Sequence, residues 1–179
     1  KIGSRLINSA RYQTFDLLIL TGNYVTGYHL DNGLLGDAYF ARMESLTTKM
    51  LTLAIPGRRE SFDNYRMFNS RFLMPGCNEE VDCDVVHVCD RKVDILLINL
   101  DQVLHSTDKS MALEKRLIKK IHVAFKQISE RVGNTWTFAF TNADFYCSKI
   151  SNHKNCLIDL YKLKMFEDLF DHLSVNLVV

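Results

Sequence analysis

The sequence predicts an α/β fold in which strands and helices alternate and the strands form a helix-flanked sandwich (αββα). Three observations carry this. Short apolar runs stand between turn residues, amphipathic segments of helical period separate them, and one pair of runs is joined by only three polar residues, as in a hairpin.

Taken in chain order, Phe15–Leu20 reads as a buried strand that stops at Thr21-Gly22-Asn23. Gly36–Thr48 carries Ala38, Phe40, Ala41, Met43 and Leu46 at near-helical spacing and is predicted as a helix. Met50–Ile55 is a second strand, ended by Pro56-Gly57, and the polar and aromatic stretch Arg58–Gly76 reads as a long loop. Asp84–Cys89 and Val93–Leu100 form the hairpin around Asp90-Arg91-Lys92. Met111–Val132 is a helix with Leu113, Leu117, Ile121, Ala124 and Ile128 on one face, closed by Gly133. Thr135–Thr141 is a strand, Lys162–Leu173 a helix and Val175–Val179 the last strand.

With 179 residues and 47% hydrophobic content, residues 1–179 suffice for one domain with a sizeable core. A formal net charge of +1 gives no reason to expect nucleic acid or an anionic membrane as partner. The longest apolar runs, such as Ile95–Leu100, are too short to span a bilayer. The opening at Lys1 without methionine and the close on a strand-like run suggest part of a longer protein, with the sandwich incomplete at both ends.

Of five cysteines, Cys77, Cys83 and Cys89 cluster, and Cys147 and Cys156 are expected to close a surface loop as a disulfide. Cys83, His87 and Cys89 share one face of a strand with Cys77 nearby, which suggests zinc. The spacing fits no closed zinc pattern, so a disulfide or buried thiols are the favoured reading. His105, His122, His153 and His172 stand outside any ligand motif and read as ordinary surface or half-buried residues. Lys115, Arg116, Lys119, Lys120 and Lys126 read as a solvated helix surface.

Chemistry in open α/β sheets collects in loops at the carboxyl ends of strands. Three such loops are Gly22-Asn23-Tyr24-Val25-Thr26, Pro56-Gly57-Arg58-Arg59-Glu60 and Thr141–Cys147. With Phe62–Arg66, Arg71-Phe72-Leu73-Met74-Pro75-Gly76, Phe145-Tyr146-Cys147, Phe166–Phe170 and Val175–Val178, they follow the order and spacing of a known family. Across roughly Phe15 to Val179 the chain resembles the purple acid phosphatases, whose loops read Gly-Asp-x-x-Tyr, Gly-Asn-His-Glu and Gly-His-Arg.

That resemblance implies a metallophosphoesterase sandwich and, in the family, a di-metal centre of iron with zinc, manganese or iron. The chain departs from the family at the ligands. Asn23 stands for the bridging aspartate, Thr26 for the tyrosine, Arg58 for the asparagine, and Asn142 for the histidine of Gly-His-Arg. Arg59 stands for the histidine that assists the phosphate ester. The family's Asp-x-Gly and Gly-His-x-His motifs are not among these residues.

The resemblance with these substitutions implies a catalytically inactive protein, without metal, that binds other proteins or serves as a subunit of an assembly. Two alternatives stand beside it: an active phosphomonoesterase with altered ligands, and a metal-free phosphate site on Arg58 and Arg59. A structural ion pair is the favoured role of those two arginines. Family and cysteines favour a secreted or lumenal location, against which stands the absence of any Asn-x-Ser/Thr acceptor.

Overall fold

The computed structural model describes residues 2–12, 14–62, 64–77, 83–104, 111–131, 133, 135–143 and 160–179. They form two compact units, Lys1–Met74 and Pro75–Val179.

In the first unit, helix α1 (Ile2–Arg11) precedes strand β1 (Leu17–Leu20), which pairs in parallel with β2 (Leu51–Ala54) from Leu17 opposite Leu51 to Leu20 opposite Ala54. Parallel strands need a crossover, and helix α2 (Leu34–Thr47) supplies it. Gly33, at φ 88°, opens that helix, and the Thr48 hydroxyl closes it by donating to the Glu44 carbonyl at 2.7 Å. Because β1 and β2 run the same way, the loops after them emerge at one edge. The Ile55 amide donates to the Leu20 carbonyl at 3.0 Å and carries the ladder one step further toward that edge.

Arg58–Gly76 is not a continuous loop. It contains a 3-10 turn at Arg58–Glu60 and a helical turn, α3 (Arg66–Asn69). One turn is too short to show a helical period, and burial of Phe68 stabilises it: its ring lies 4.8 Å from that of Phe72, four residues on. Arg71 secures the same segment, its guanidinium donating to Asp37, to the Met67 and Gly33 carbonyls, and lying 5.1 Å from the Tyr28 ring centroid.

The second unit is built on a four-stranded sheet ordered β3 (Val85–Cys89), β4 (Val93–Ile98), β5 (Trp136–Thr141), β6 (Leu177–Val178). The expected hairpin is present: β3 and β4 are antiparallel, with Cys89 opposite Asp94, and the Asp90 amide donates to the Val93 carbonyl at 2.9 Å. β5 and β6 add in parallel. After β4 comes a short helix, α4 (Asp101–Leu104), which the sequence reading did not resolve. Helices α5 (Ala112–Ser129) and α6 (Leu160–His172) bury Leu117, Ile121, Ala124, Phe125, Phe166 and Phe170 against Leu96, Ile98 and Ala139 of the sheet. Burying each of these leucine, isoleucine and phenylalanine side chains stabilises by roughly 1.5–3 kcal/mol.

Candidate functional site

The first-unit edge carries Asn23, Thr26, Arg58 and Arg59 on two loops whose backbones touch. A Cβ on Gly22, at φ 84°, would lie 2.5 Å from the Gly57 nitrogen, and one on Gly57 would lie 2.6 Å from the Asn23 nitrogen. Only glycine fits at both positions.

Glu60 then clamps the pair. Its side chain is 1% exposed, and its carboxylate accepts the Asn23 amide at 2.7 Å, the Tyr24 amide at 3.0 Å and the Gly57 amide at 3.0 Å. Three N–H groups around one carboxylate satisfy a buried charge without a cation. This role was hidden in the sequence, where Glu60 is only the last letter of a loop motif.

Asn23 takes φ 55°, which asparagine tolerates better than most residues. Its Oδ1 accepts the Arg59 amide at 3.3 Å, so the side chain is engaged within the loops. Tyr24 packs inward among Tyr28, Phe40, Phe68 and Phe72, and its hydroxyl donates to the Ile55 carbonyl at 2.6 Å. Burial first, and the Glu60 charge second, push the Tyr24 phenol far above its usual 10. Burial likewise pushes Tyr28 up to about 12, with the Arg71 charge opposing. Thr26, Arg58 and Arg59 are exposed. Neither guanidinium forms an ion pair with a described residue, so the favoured structural ion pair is not found among them.

In the second unit, Asn142 follows β5. Its Oδ1 accepts the Leu100 amide at 2.9 Å and the Asp101 amide at 3.1 Å, while its Nδ2 donates to Asn99 Oδ1 at 2.7 Å. The amide therefore braces the segment after β4.

The cysteine cluster resolves differently from a zinc site on Cys83. Cys77 and Cys83 form a disulfide, their Cα atoms 5.3 Å apart, and Cys89 is a free, exposed thiol. Cys147 and Cys156, with His105 and His153, lie outside the described residues. His122 and His172 are exposed, as expected. The basic face of α5 is only partly solvated. Arg116 and Lys120 both donate to buried Asp84, at 3.1 and 3.0 Å, beside a groove of about 510 Å³ that His87, Lys119 and Gln127 also line.

At the hairpin end, His87 Nε2 lies 2.9 Å from Asp94 Oδ1, to which Arg131 donates at 2.6 Å. Burial raises the Asp94 pKa, but contacts with His87, Thr135 and Arg131 outweigh it, and the carboxyl ionises below its usual 3.8. His87, Cys89 and Asp94 each offer a ligand atom, all within 4.8 Å of one another. They are the one such trio among the described residues.

No helix of the described residues is long and apolar enough to cross a membrane. No protein-family model matches the chain. It is 23% identical to acid phosphatase type 7 of Mus musculus, over 97% of this chain and 40% of that protein. It is 21% identical to the Homo sapiens protein of the same name, with the same coverage, and 29% identical over 42% of the chain to that of Danio rerio. The chain thus spans about two fifths of the first of these relatives. Among solved structures, purple acid phosphatase PPD1 from yellow lupin (Lupinus luteus) seeds superposes with a TM-score of 0.61 at 10% identity, over 98% of this chain and 31% of that one. The chain is thus similar in sequence to acid phosphatases and shares the fold of a purple acid phosphatase, a metallophosphoesterase fold of which it covers a part.

Proposed function

We propose that this chain belongs to a catalytically inactive relative of the purple acid phosphatases, retained as a structural or protein-binding element. The observation that carries the reading is the Asn23 side chain. By the motif resemblance it stands for the family's bridging aspartate, yet it is a neutral amide whose Oδ1 accepts the Arg59 backbone N–H at an N···O distance of 3.3 Å.

A bridging ligand must be anionic to hold two cations close together, and a carboxamide is a poor substitute. Arg58 and Arg59 stay protonated and have no lone pair for a metal. Asn142 already spends its oxygen on two backbone donors and its nitrogen on Asn99. These residues do not fit a di-metal centre. The disulfide between Cys77 and Cys83 suits a secreted or lumenal protein.

The test is hydrolysis of an aryl phosphate by the full-length protein, with parallel measurement of iron, zinc and manganese. Inactivity, also in the presence of added metals, is expected. Turnover that disappears in Asn23→Ala would overturn the reading in favour of an active phosphomonoesterase with altered ligands.

A second reading, oxyanion binding without turnover, is favoured by the exposure of both guanidiniums and their lack of any ion pair with a described residue. It predicts a phosphate-dependent rise in Tm that is lost in Arg58→Ala plus Arg59→Ala. No shift in the parent protein would remove it.

A further inference from the structure

We propose that the hairpin end of β3 and β4 is a binding site for one zinc-class divalent ion, held by His87, Cys89 and Asp94.

The site follows from strand register. Cys89 and Asp94 are cross-strand partners, and His87 is two residues from Cys89, so all three side chains share one sheet face. Farther along, the same face carries Leu96 and Ile98, which are buried beneath α5. The apolar stripe thus ends in three residues that are all metal-ligand types, where hydrophobic packing alone would favour none.

Asp94 is fully buried; His87 and Arg131 meet its Oδ1 and the Thr135 side chain is also near the carboxyl, yet its Oδ2 has no donor at hydrogen-bonding distance. A buried carboxylate oxygen without a partner is costly. His87 is oriented toward the same point: its Nε2 faces Asp94 Oδ1 at 2.9 Å, and its Nδ1 faces the Gln127 side-chain amide at 3.4 Å. An ion on the Asp94 side would take the unpartnered Oδ2 and the Nε2 lone pair together. Nδ1–H then donates to Gln127, the second-sphere bond that commonly orients a metal-bound imidazole, and the Nε2 lone pair faces the ion. Asp94 can ligate through Oδ2 while Oδ1 keeps Arg131.

Thiolate, imidazole and carboxylate form a donor set suited to zinc. In a tetrahedral site with bonds of about 2.0–2.3 Å, neighbouring ligand atoms sit about 3.3–3.7 Å apart. The observed separations, all within 4.8 Å, need only a small inward movement, and Cys89 is exposed. On binding, the Cys89 thiol gives its proton to solvent, and the two anionic ligands balance the ion's charge. The groove that His87 lines offers entry from solvent. Three protein ligands leave the fourth position to water.

Within the second unit this site is separate from Asn142: Asp94 is near the start of β4, whereas Asn99, which Asn142 bonds, is just past its end, about 16 Å away at a strand rise of about 3.3 Å per residue. Failure here therefore leaves the proposed loss of catalysis untouched, and the converse also holds.

The experiment uses the full-length protein, purified without chelator and equilibrated with zinc alone, then gel-filtered and analysed for metal. About one zinc per chain is expected, and cobalt in its place should give a thiolate-to-cobalt charge-transfer band. Cys89→Ser, at an exposed position that should not disturb folding, and His87→Gln should each weaken zinc binding at least about tenfold and, for Cys89→Ser, remove the band. Asn23→Ala should leave both unchanged. Absence of binding to the parent protein, or binding that survives Cys89→Ser with the band intact, would overturn the site.

Discussion

Replacing Glu60 tests the clamp between the two first-unit loops. Its carboxylate takes three backbone N–H groups, two on Oε2 and one on Oε1. In Glu60→Gln, the amide can turn its oxygen toward Asn23 and Gly57, but its NH₂ then faces the Tyr24 N–H, and two donors oppose each other. Hydrogen bonds to charged groups contribute about 1.5–3 kcal/mol, and a buried unsatisfied donor costs about 1–3 kcal/mol. The orphaned Tyr24 amide costs about 1–3 kcal/mol, and the change of the other two bonds from charged to neutral costs about 1 kcal/mol more, about 2–4 kcal/mol in local stability. The assay must be local, because Trp136, the single tryptophan, lies in the second unit. Hydrogen exchange of peptides covering residues 17–26 and 51–60 serves. At about 1.4 kcal/mol per tenfold, protection there should fall by roughly 30-fold to 1,000-fold. A change below about threefold, with the protein still folded, would mean that the carboxylate is not what holds the loops together.

Gly57→Ala should cost more than about 3 kcal/mol, because the new Cβ would meet Asn23 backbone at 2.6 Å; unaltered urea unfolding would contradict that close approach. Asn142→Ala orphans the Leu100 and Asp101 amides, and a loss of about 2–4 kcal/mol in Trp136-monitored denaturation is expected, an unchanged midpoint being the contrary result. Tyr28 provides a pH test. Its folded pKa, about 12, exceeds the unfolded 10, so its contribution is complete below pH 10 and is lost as pH rises toward 12. Tyr28→Phe should flatten this alkaline limb by up to about 1.4 kcal/mol per pH unit, leaving the share of Tyr24, and superimposable limbs would refute it.

The strands and long helices were legible because each is a buried run or an amphipathic stripe. α5 is an instance: Leu117, Ile121 and Ala124 mark its face in sequence and in structure. α3 and α4 were not legible, since each is a single turn, too short to show a helical period. The Arg116 and Lys120 pair on Asp84 shows a related limit. Periodicity places both cations off the apolar face, but only folding brings a buried carboxylate from 32 and 36 residues away. Motif order located the loops that bear Asn23 and Arg58. It gave no sign that Glu60 and the two glycines shape them, because their partners are backbone groups that no sequence pattern displays. The trio at His87 was half visible. Strand alternation put His87 beside Cys89, whereas Asp94 joins them through hairpin register.

The way the first-unit loops are held bears on how such a chain can lose a metal site and keep its shape. Gly22 and Gly57 permit the approach, Glu60 neutralises three backbone dipoles, and Asn23 adds a fourth bond through Arg59. All these forces come from the protein itself, and none depends on the charge at positions 26, 58 or 59, whose side chains are exposed. Exposed substitutions typically change stability by about 0.5 kcal/mol or less. Exposed loop positions of this kind can therefore change charge at little cost to folding, whereas Glu60 and the glycines cannot. The scaffold and the chemistry of the loops are energetically separable, and a relative of the phosphatases without the di-metal centre is physically attainable by changing only the exposed half.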